Sequence, residues 1–533
     1  MFKKLNKNLI SILFILFILY IVNRNSTHIL YDDVLLELCY SGYFSGGIPV
    51  SDHLFQHFFL TQIFSCLYTY FNFCNWYFYL HLFFLGLSFF TILHVLKNNK
   101  NKYYMLILVV ILFFIEYIYF TYTRISFYVA FSGFLFLLKH NRLDRYKLIY
   151  STSMVFLGAM IRPEGAILAL IVFILLYLCS ENLKNKFYEI SVKKQLILII
   201  SIPLIVLVTH KVSNIENSKR FPLSYIAEST HYDYSSFNNK MMDSNDVKRL
   251  KNFYIDERFT SKEVVNYVKY KVQKHNLKTR FNFSIAILNH VFHQGMYQFL
   301  FFILILQILL INGYVNKIKF LAVILFLFSA LIFGNTFYDI PFYKHRVMEP
   351  ILISLIIAFY VKDSTYNFKV DIVIEFMILL TFIYVLKRVI WKDEYVEQNE
   401  AVNTKINKVF DSIPENELIF DAVLFTNLVV FPGHFSVAKT KNYKSHQILP
   451  IGWAQVSYSS KALYSKIGVN RMDDIFVKPN TTLLLDSTQL SLWKNYGHKY
   501  LNKNLVPYDT IYVDNMQSCY YIARYKTGLI SEK

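Results

Sequence analysis

The stretch 54-LFQHFFLTQIFSCLYTYFNF-73 decides how this chain is organised. A membrane span needs roughly 20 mainly apolar residues, and this stretch has that length. It also reads as an amphipathic helix lying on a membrane surface. The choice matters because a crossing here would invert the side of every later loop.

Apolar runs surround it, near residues 6–23, 76–96, 103–121, 125–139, 148–161, 165–180, 195–211, 292–312, 317–334, 347–361 and 371–389. Lys and Arg settle the ambiguity. With 54–73 kept out of the membrane, the cytoplasmic segments are the N-terminus, Lys97–Lys102, Lys139–Lys147, Glu181–Lys194, Gly313–Lys319 and Val361–Val370. They carry 18 basic residues, and the short loops opposite carry far fewer. A crossing at 54–73 would reverse that bias, so the positive-inside rule selects eleven spans, with the N-terminus inside and the C-terminus outside. The basic Met1–Lys7 and apolar Leu9–Val22 resemble a signal peptide. Asn23, Arg24 and Asn25 follow without a small-x-small cleavage site, so this is read as an uncleaved first span.

Composition agrees. Of 533 residues, 55% are hydrophobic and 17% charged, more apolar surface than a soluble fold can hide. The net charge of +19 would suggest nucleic acid in a soluble protein; here it reports topology, and no nucleic-acid partner is expected. Cys39, Cys66, Cys74, Cys179 and Cys519 form neither a CxxC pair nor a Cys/His cluster. The expected fold is an all-α polytopic membrane bundle over 1–390, with a small extracytoplasmic α/β domain over 391–533. Outer loops cover 23–75 and 212–291. The second contains a capping box, Thr260-Ser261-Lys262-Glu263, opening a surface helix toward Lys278. In the tail, strand-like runs at Glu417–Phe425, Thr481–Asp486, Thr510–Val513 and Cys519–Tyr525 alternate with helical stretches at Glu400–Phe410 and Ser487–Tyr500. No internal repeat supports an inverted-repeat transporter.

This topology gathers the out-of-place polar residues on the outer side. Asp32 and Asp33 follow the first span. Arg124 ends the third. Arg162 and Glu164 occupy the turn Met160-Ile161-Arg162-Pro163-Glu164-Gly165. Asp339, Lys344, His345 and Arg346 precede the tenth span. Adjacent carboxylates can take a proton from a hydroxyl or hold a metal ion. Arginines at headgroup depth can hold a phosphate through paired, charge-assisted bonds. Each has a plainer reading. The Asp pair can be a solvated cap, and Arg162 can simply pair with Glu164. Lys344, His345 and Arg346 can be a snorkelling cluster. Glu116, inside the third span, can pair with Arg124 or face a cavity. His53 and His57 share a helical face at metal-ligand spacing, and without a third ligand they read as aromatic-belt packing. The abundant Tyr and Phe read as mostly lipid-facing.

The pattern resembles the GT-C superfamily of membrane glycosyltransferases: one crossing from inside, an acidic pair opening a long first outer loop, then surface helices. Here these are Asp32-Asp33, then Ser45-Gly46-Gly47-Ile48-Pro49-Val50-Ser51-Asp52-His53-Leu54. Ser51–Phe59 stands where the family carries a His/Lys-Pro-Pro-like segment, and the Pro-Pro is absent. The chain is also similar to bacterial surface-polysaccharide membrane proteins with an Asp-Asp start, an Arg-x-Glu turn and a Pro-Ile-Gly-Trp tail, here Pro450-Ile451-Gly452-Trp453. The resemblance implies a transferase in the bacterial cytoplasmic membrane. It would take a sugar from a polyprenyl-phosphate donor to a glycan, lipid or protein acceptor on the outer face. Asp32 would be the base and Asp33 its assistant, with a divalent metal ion at the pair left open. Arg162, Arg346, Lys344 and Arg124 would hold the donor phosphate. Glu164, His53, Asp339 and His345 would contact substrate. A lipid-linked oligosaccharide flippase, a polysaccharide polymerase and a non-catalytic scaffold are the alternatives.

Overall fold

The structure is a computed structural model. It describes residues 31–42, 47–51, 55–71, 74–96, 120–139, 145–179, 190–213, 350–355, 413–414, 417–421, 447–450, 458–470, 472–513 and 518–526, with single positions at 45, 109, 113, 116, 321, 322, 325 and 329. The expected spans 6–23, 292–312 and 371–389 lie outside these residues. So do most of the spans at 103–121 and 317–334, the capping box and surface helix of the second loop, and the helix at Glu400–Phe410.

The described part is mostly helical with one small sheet. Its first seven helices are α1 Tyr31–Tyr40, α2 Phe58–Tyr70, α3 Trp76–Leu96, α4 Tyr122–Lys139, α5 Arg145–Ile161, α6 Pro163–Cys179 and α7 Ile190–Ser213. Among the described residues α3 is the helix long and apolar enough to cross a membrane; apolar stretches of α4, α6 and α7 are shorter. At 1.5 Å per residue α3 is about 31 Å long, close to the ~30 Å hydrocarbon core, whereas α2 reaches only about 20 Å. α2 buries Leu60, Thr61, Phe64 and Tyr68 and exposes Phe59, Ile63 and Tyr70.

α4 is the central helix. Its residues from Tyr122 to Leu135 are buried, and it packs on α3, α5 and α6. Small residues let the backbones meet. A Cβ on Gly158 would lie 2.7 Å from the Ala130 nitrogen, and one on Gly165 would lie 2.5 Å from Ser126 Oγ. Ser126 Oγ is 2.9 Å from the Gly158 carbonyl and 2.7 Å from the Arg162 carbonyl. Close approach through Gly, Ala and Ser is how helices associate where apolar burial supplies no driving force. The outward faces are apolar: Phe83 and Phe90 on α3, Ile149 and Phe156 on α5, and Ile197, Leu204, Ile205, Val208 and Val212 on α7 are all exposed.

The sheet has the order β2-β1-β3-β5-β4, from β1 Leu418–Asp421, β2 Gln447–Pro450, β3 Thr481–Asp486, β4 Asn504–Val513 and β5 Ser518–Lys526. β1 is parallel to β2 and β3; β5 is antiparallel to β3 and β4. Helices α8 Tyr458–Ile467, α9 Met472–Val477 and α10 Ser487–Tyr496 accompany it. Phe420, Phe476, Trp493 and Tyr496 form the aromatic centre of its core. β3 starts and ends where the sequence indicates. β2 is an addition, and β4 begins six residues before the expected Thr510. Pro507 hides that first half. Proline is tolerated there because β4 is an edge strand and its ladder is interrupted at Pro507/Asp509.

Candidate functional site

α1 turns Asp33, Leu36, Glu37 and Tyr40 inward, at the i, i+3, i+4, i+7 spacing of one helical face, and all four are buried. Asp32 lies on the same helix, one position and about 100° away. Asp33 Oδ1 accepts the Tyr77 hydroxyl at 2.8 Å and the Tyr122 backbone N–H at 3.0 Å. Tyr122 opens α4, and the first amides of a helix have no partner inside it. Asp33 therefore caps α4 from 89 residues away, with its charge at the positive end of the helix dipole.

Tyr77 is fixed at the start of α3. Asn75 Oδ1 accepts the Phe78 N–H at 2.9 Å and the Tyr68 hydroxyl at 3.0 Å, and the Tyr68 oxygen accepts the Tyr77 N–H at 3.0 Å. One turn on, His81 Nδ1 lies 2.7 Å from the Tyr77 carbonyl, which can only accept, so Nδ1 carries the proton. His81 Nε2 then accepts the Gln56 amide at 3.1 Å, and Gln56 Oε1 accepts the Tyr40 hydroxyl at 3.1 Å. This buried network ties both ends of α1 to α3.

Arg162 stands where Pro163 stops α5 and starts α6. Proline lacks an N–H and disfavours helix for the residue before it, yet suits the first helical position. Arg162 NH1 donates to the Tyr122 hydroxyl at 2.6 Å and to Thr123 Oγ1 at 2.9 Å. Its guanidinium carbon is 5.1 Å from the Tyr122 ring centre and 5.9 Å from that of Phe55. Tyr122 thus holds Asp33 by its backbone and Arg162 by its side chain. Glu164 Oε2 lies 3.6 Å from Arg162 Nε, and its Oε1 lies 3.9 Å from Lys211 Nζ at the end of α7. Beside them, the His57 N–H donates to the Met160 carbonyl at 2.9 Å, and His57 Nε2 is 3.1 Å from Thr209 Oγ1.

The structure corrects one expectation. Arg124 does not end a span; it lies in the first turn of α4, and its Nε is 3.0 Å from Glu116 Oε2. Glu116 also accepts the Tyr128 hydroxyl at 2.9 Å, and both charged side chains are at most 3% exposed. A buried, paired guanidinium is not at the disposal of a lipid phosphate. Asp33, expected to assist at the reacting atoms, is buried and fastened to two helices. Asp32 is described only as a position in α1. His53, Asp339, Lys344, His345 and Arg346 lie outside the described residues. Among the described residues no three His, Cys, Asp or Glu side chains group as metal ligands.

Tyr77, Tyr122, Thr123, Lys211 and the His81–Gln56 pair were not singled out by the sequence. The one local signal is Thr121-Tyr122-Thr123, a run of hydroxyls immediately before Arg124.

No protein-family model and no curated protein matches the chain. Among solved structures it is similar to ArnT from Cupriavidus metallidurans in the apo state, with 9% identity, 98% of each chain covered and a TM-score of 0.41. For the same protein bound to undecaprenyl phosphate, the identity is 10%, the coverage 98% of this chain and 99% of the other, and the TM-score 0.40.

Proposed function

We propose that this chain is a membrane-embedded glycosyltransferase that moves a sugar from a polyprenyl-phosphate carrier to an acceptor on the outer face of a bacterial cytoplasmic membrane. The observation that carries the reading is the junction at Tyr122. It brings the segment of the acidic pair and the arginine of the α5–α6 turn together across a single residue. In the sequence both are polar groups misplaced on the outer rim. The apolar outward faces of α3, α5 and α7 support a hydrocarbon surround. The short, two-faced α2 supports a helix that lies on the surface.

The chemistry follows from the charges. An acceptor hydroxyl attacks the anomeric carbon, a carboxylate takes its proton, and the bond from that carbon to the phosphate oxygen breaks. Negative charge then grows on the departing phosphate, where a fixed cation is most valuable. Asp32 takes the role of base and Arg162 meets the phosphate. Asp33 does not react; it holds α1 against α3 and α4. Lys344, His345, Arg346, Asp339 and His53 are proposed to complete the site from segments outside the described residues. The pairing of Glu116 with Arg124 favours transfer over transport, since it gives this in-span carboxylate a structural partner.

The test is Asp32→Asn in the full chain, with membrane insertion and thermal stability measured alongside. Loss of a positioned base costs about 10²–10⁴-fold in rate. Wild-type levels of surface glycan decoration from a well-folded D32N protein would remove Asp32 as the base.

A further inference from the structure

A carboxylate beside a phosphate site is an electrostatic liability, because like charges repel. Glu164 nevertheless stands where the basic groups converge. Arg162 Nε approaches it at 3.6 Å and Lys211 Nζ at 3.9 Å, and His210, buried next to Lys211, adds to the same field. It sits in the first turn of α6, where the helix dipole favours any anion. Yet the contacts are loose. Both distances exceed the roughly 2.7–2.9 Å of a direct charge-assisted bond. The Glu164 side chain is 48% exposed, so it has room to leave. The opposite edge of Arg162 is held firmly by the Tyr122 and Thr123 hydroxyls, so the cation would stay behind if the carboxylate moved.

We infer that Glu164 is a displaceable place-holder: it neutralises Arg162 and Lys211 until a phosphate-bearing ligand takes its position between them. This rests on the phosphate-carrier reading and deepens it, adding Lys211 as a phosphate-binding residue from α7. The carrier's phosphate monoester, with about −1.5 to −2 charge and three acceptor oxygens, outbids one carboxylate on both counts.

The experiment uses the full chain in detergent, with undecaprenyl phosphate, undecaprenol and inorganic phosphate as probes. Glu164→Gln is expected to bind undecaprenyl phosphate about ten-fold tighter, the order expected for removing one competing charge at near contact in a screened setting. Arg162→Gln is expected to bind it well over about ten-fold more weakly, and Lys211→Met several-fold more weakly. In E164Q/R162Q the tightening is expected to vanish. Undecaprenol, which lacks the phosphate, is expected to respond to none of these changes. If the wild-type chain binds the lipid phosphate and E164Q binds it equally or more weakly, the place-holder role is overturned while the donor reading stands. If neither protein binds lipid phosphate but E164Q gains affinity for inorganic phosphate, the place-holder role stands and the lipid donor falls. If no probe binds either protein, both fall.

Discussion

Two Arg–Glu pairs in the helical part differ in nearly every physical respect. Glu116 and Arg124 meet at 3.0 Å and are 1% and 3% exposed. Tyr128 fills another acceptor position on the glutamate, and the pair joins a neighbouring segment to the start of α4. Arg162 and Glu164 stand 3.6 Å apart in a turn, at 19% and 48% exposure. The first pair cannot part without stranding a charge in an apolar interior. The second can part at little cost, because solvent or another anion can replace either partner. Charge type alone therefore says nothing about role. Burial separates the two: the Glu116–Arg124 pair is closed off from solvent, and the Arg162–Glu164 pair is not.

That contrast can be tested by breaking each side. The largest effect is expected from Arg124→Met, which leaves Glu116 unpaired in the core: about 3–5 kcal/mol of stability, seen as a large fall in apparent melting temperature in detergent. The double variant R124M/E116M should recover much of this. If R124M melts like the wild-type chain, the pair is not structural. Next comes Asp33→Ala, which deprives the Tyr122 amide and the Tyr77 hydroxyl of their acceptor. A loss of about 2–3 kcal/mol is expected, because both donors are buried. Arg162→Lys retains charge but loses the planar contacts with Tyr122 and Phe55. It should weaken undecaprenyl phosphate binding about ten-fold, with less than about 1 kcal/mol lost in stability. Tyr122→Phe keeps the ring and the backbone cap and removes only the hydroxyl, so a smaller loss of binding is expected, about three-fold. If Y122F proves as destabilising as D33A, Tyr122 is a fold residue rather than a bridge to Arg162.

The sequence made the helices legible wherever apolar runs were bounded by polar residues. The span expected at 76–96 is the helix Trp76–Leu96. Near the site the boundaries drifted, because hydropathy cannot see a helix that begins with Tyr-Thr-Arg; α4 starts before the charge that hydropathy treats as an edge. Asp33 and Arg162 were legible because carboxylates and guanidiniums are costly beside hydrocarbon, roughly 2–3 kcal/mol at the centre of a span. Tyr77 and Tyr122 were not. In a chain with 42 tyrosines, two more aromatic residues carry no signal, although their hydroxyl and amide groups make the connection. The partners of these residues are 44 and 40 positions away, beyond any local pattern. The β4 strand was half-hidden for the opposite reason: Pro507 is a strong local signal that an edge position overrules.

The glycine contacts between α4 and its neighbours carry a mechanical consequence. At Gly158 the backbone meets the backbone of Ala130 and Ser126, and at Gly165 only the small Ser126 side chain stands between, leaving little to act as a hinge or a cushion. Such a weld does not slide by fractions of an ångström, so α4, α5 and α6 behave as one stiff block with Arg162 mounted at its end. On the phosphate-carrier reading, an isoprenoid tail would not part these three helices. α7 packs on α5 and α6 beside that block, carrying Pro203 inside the helix and exposing Leu204, Ile205 and Val208.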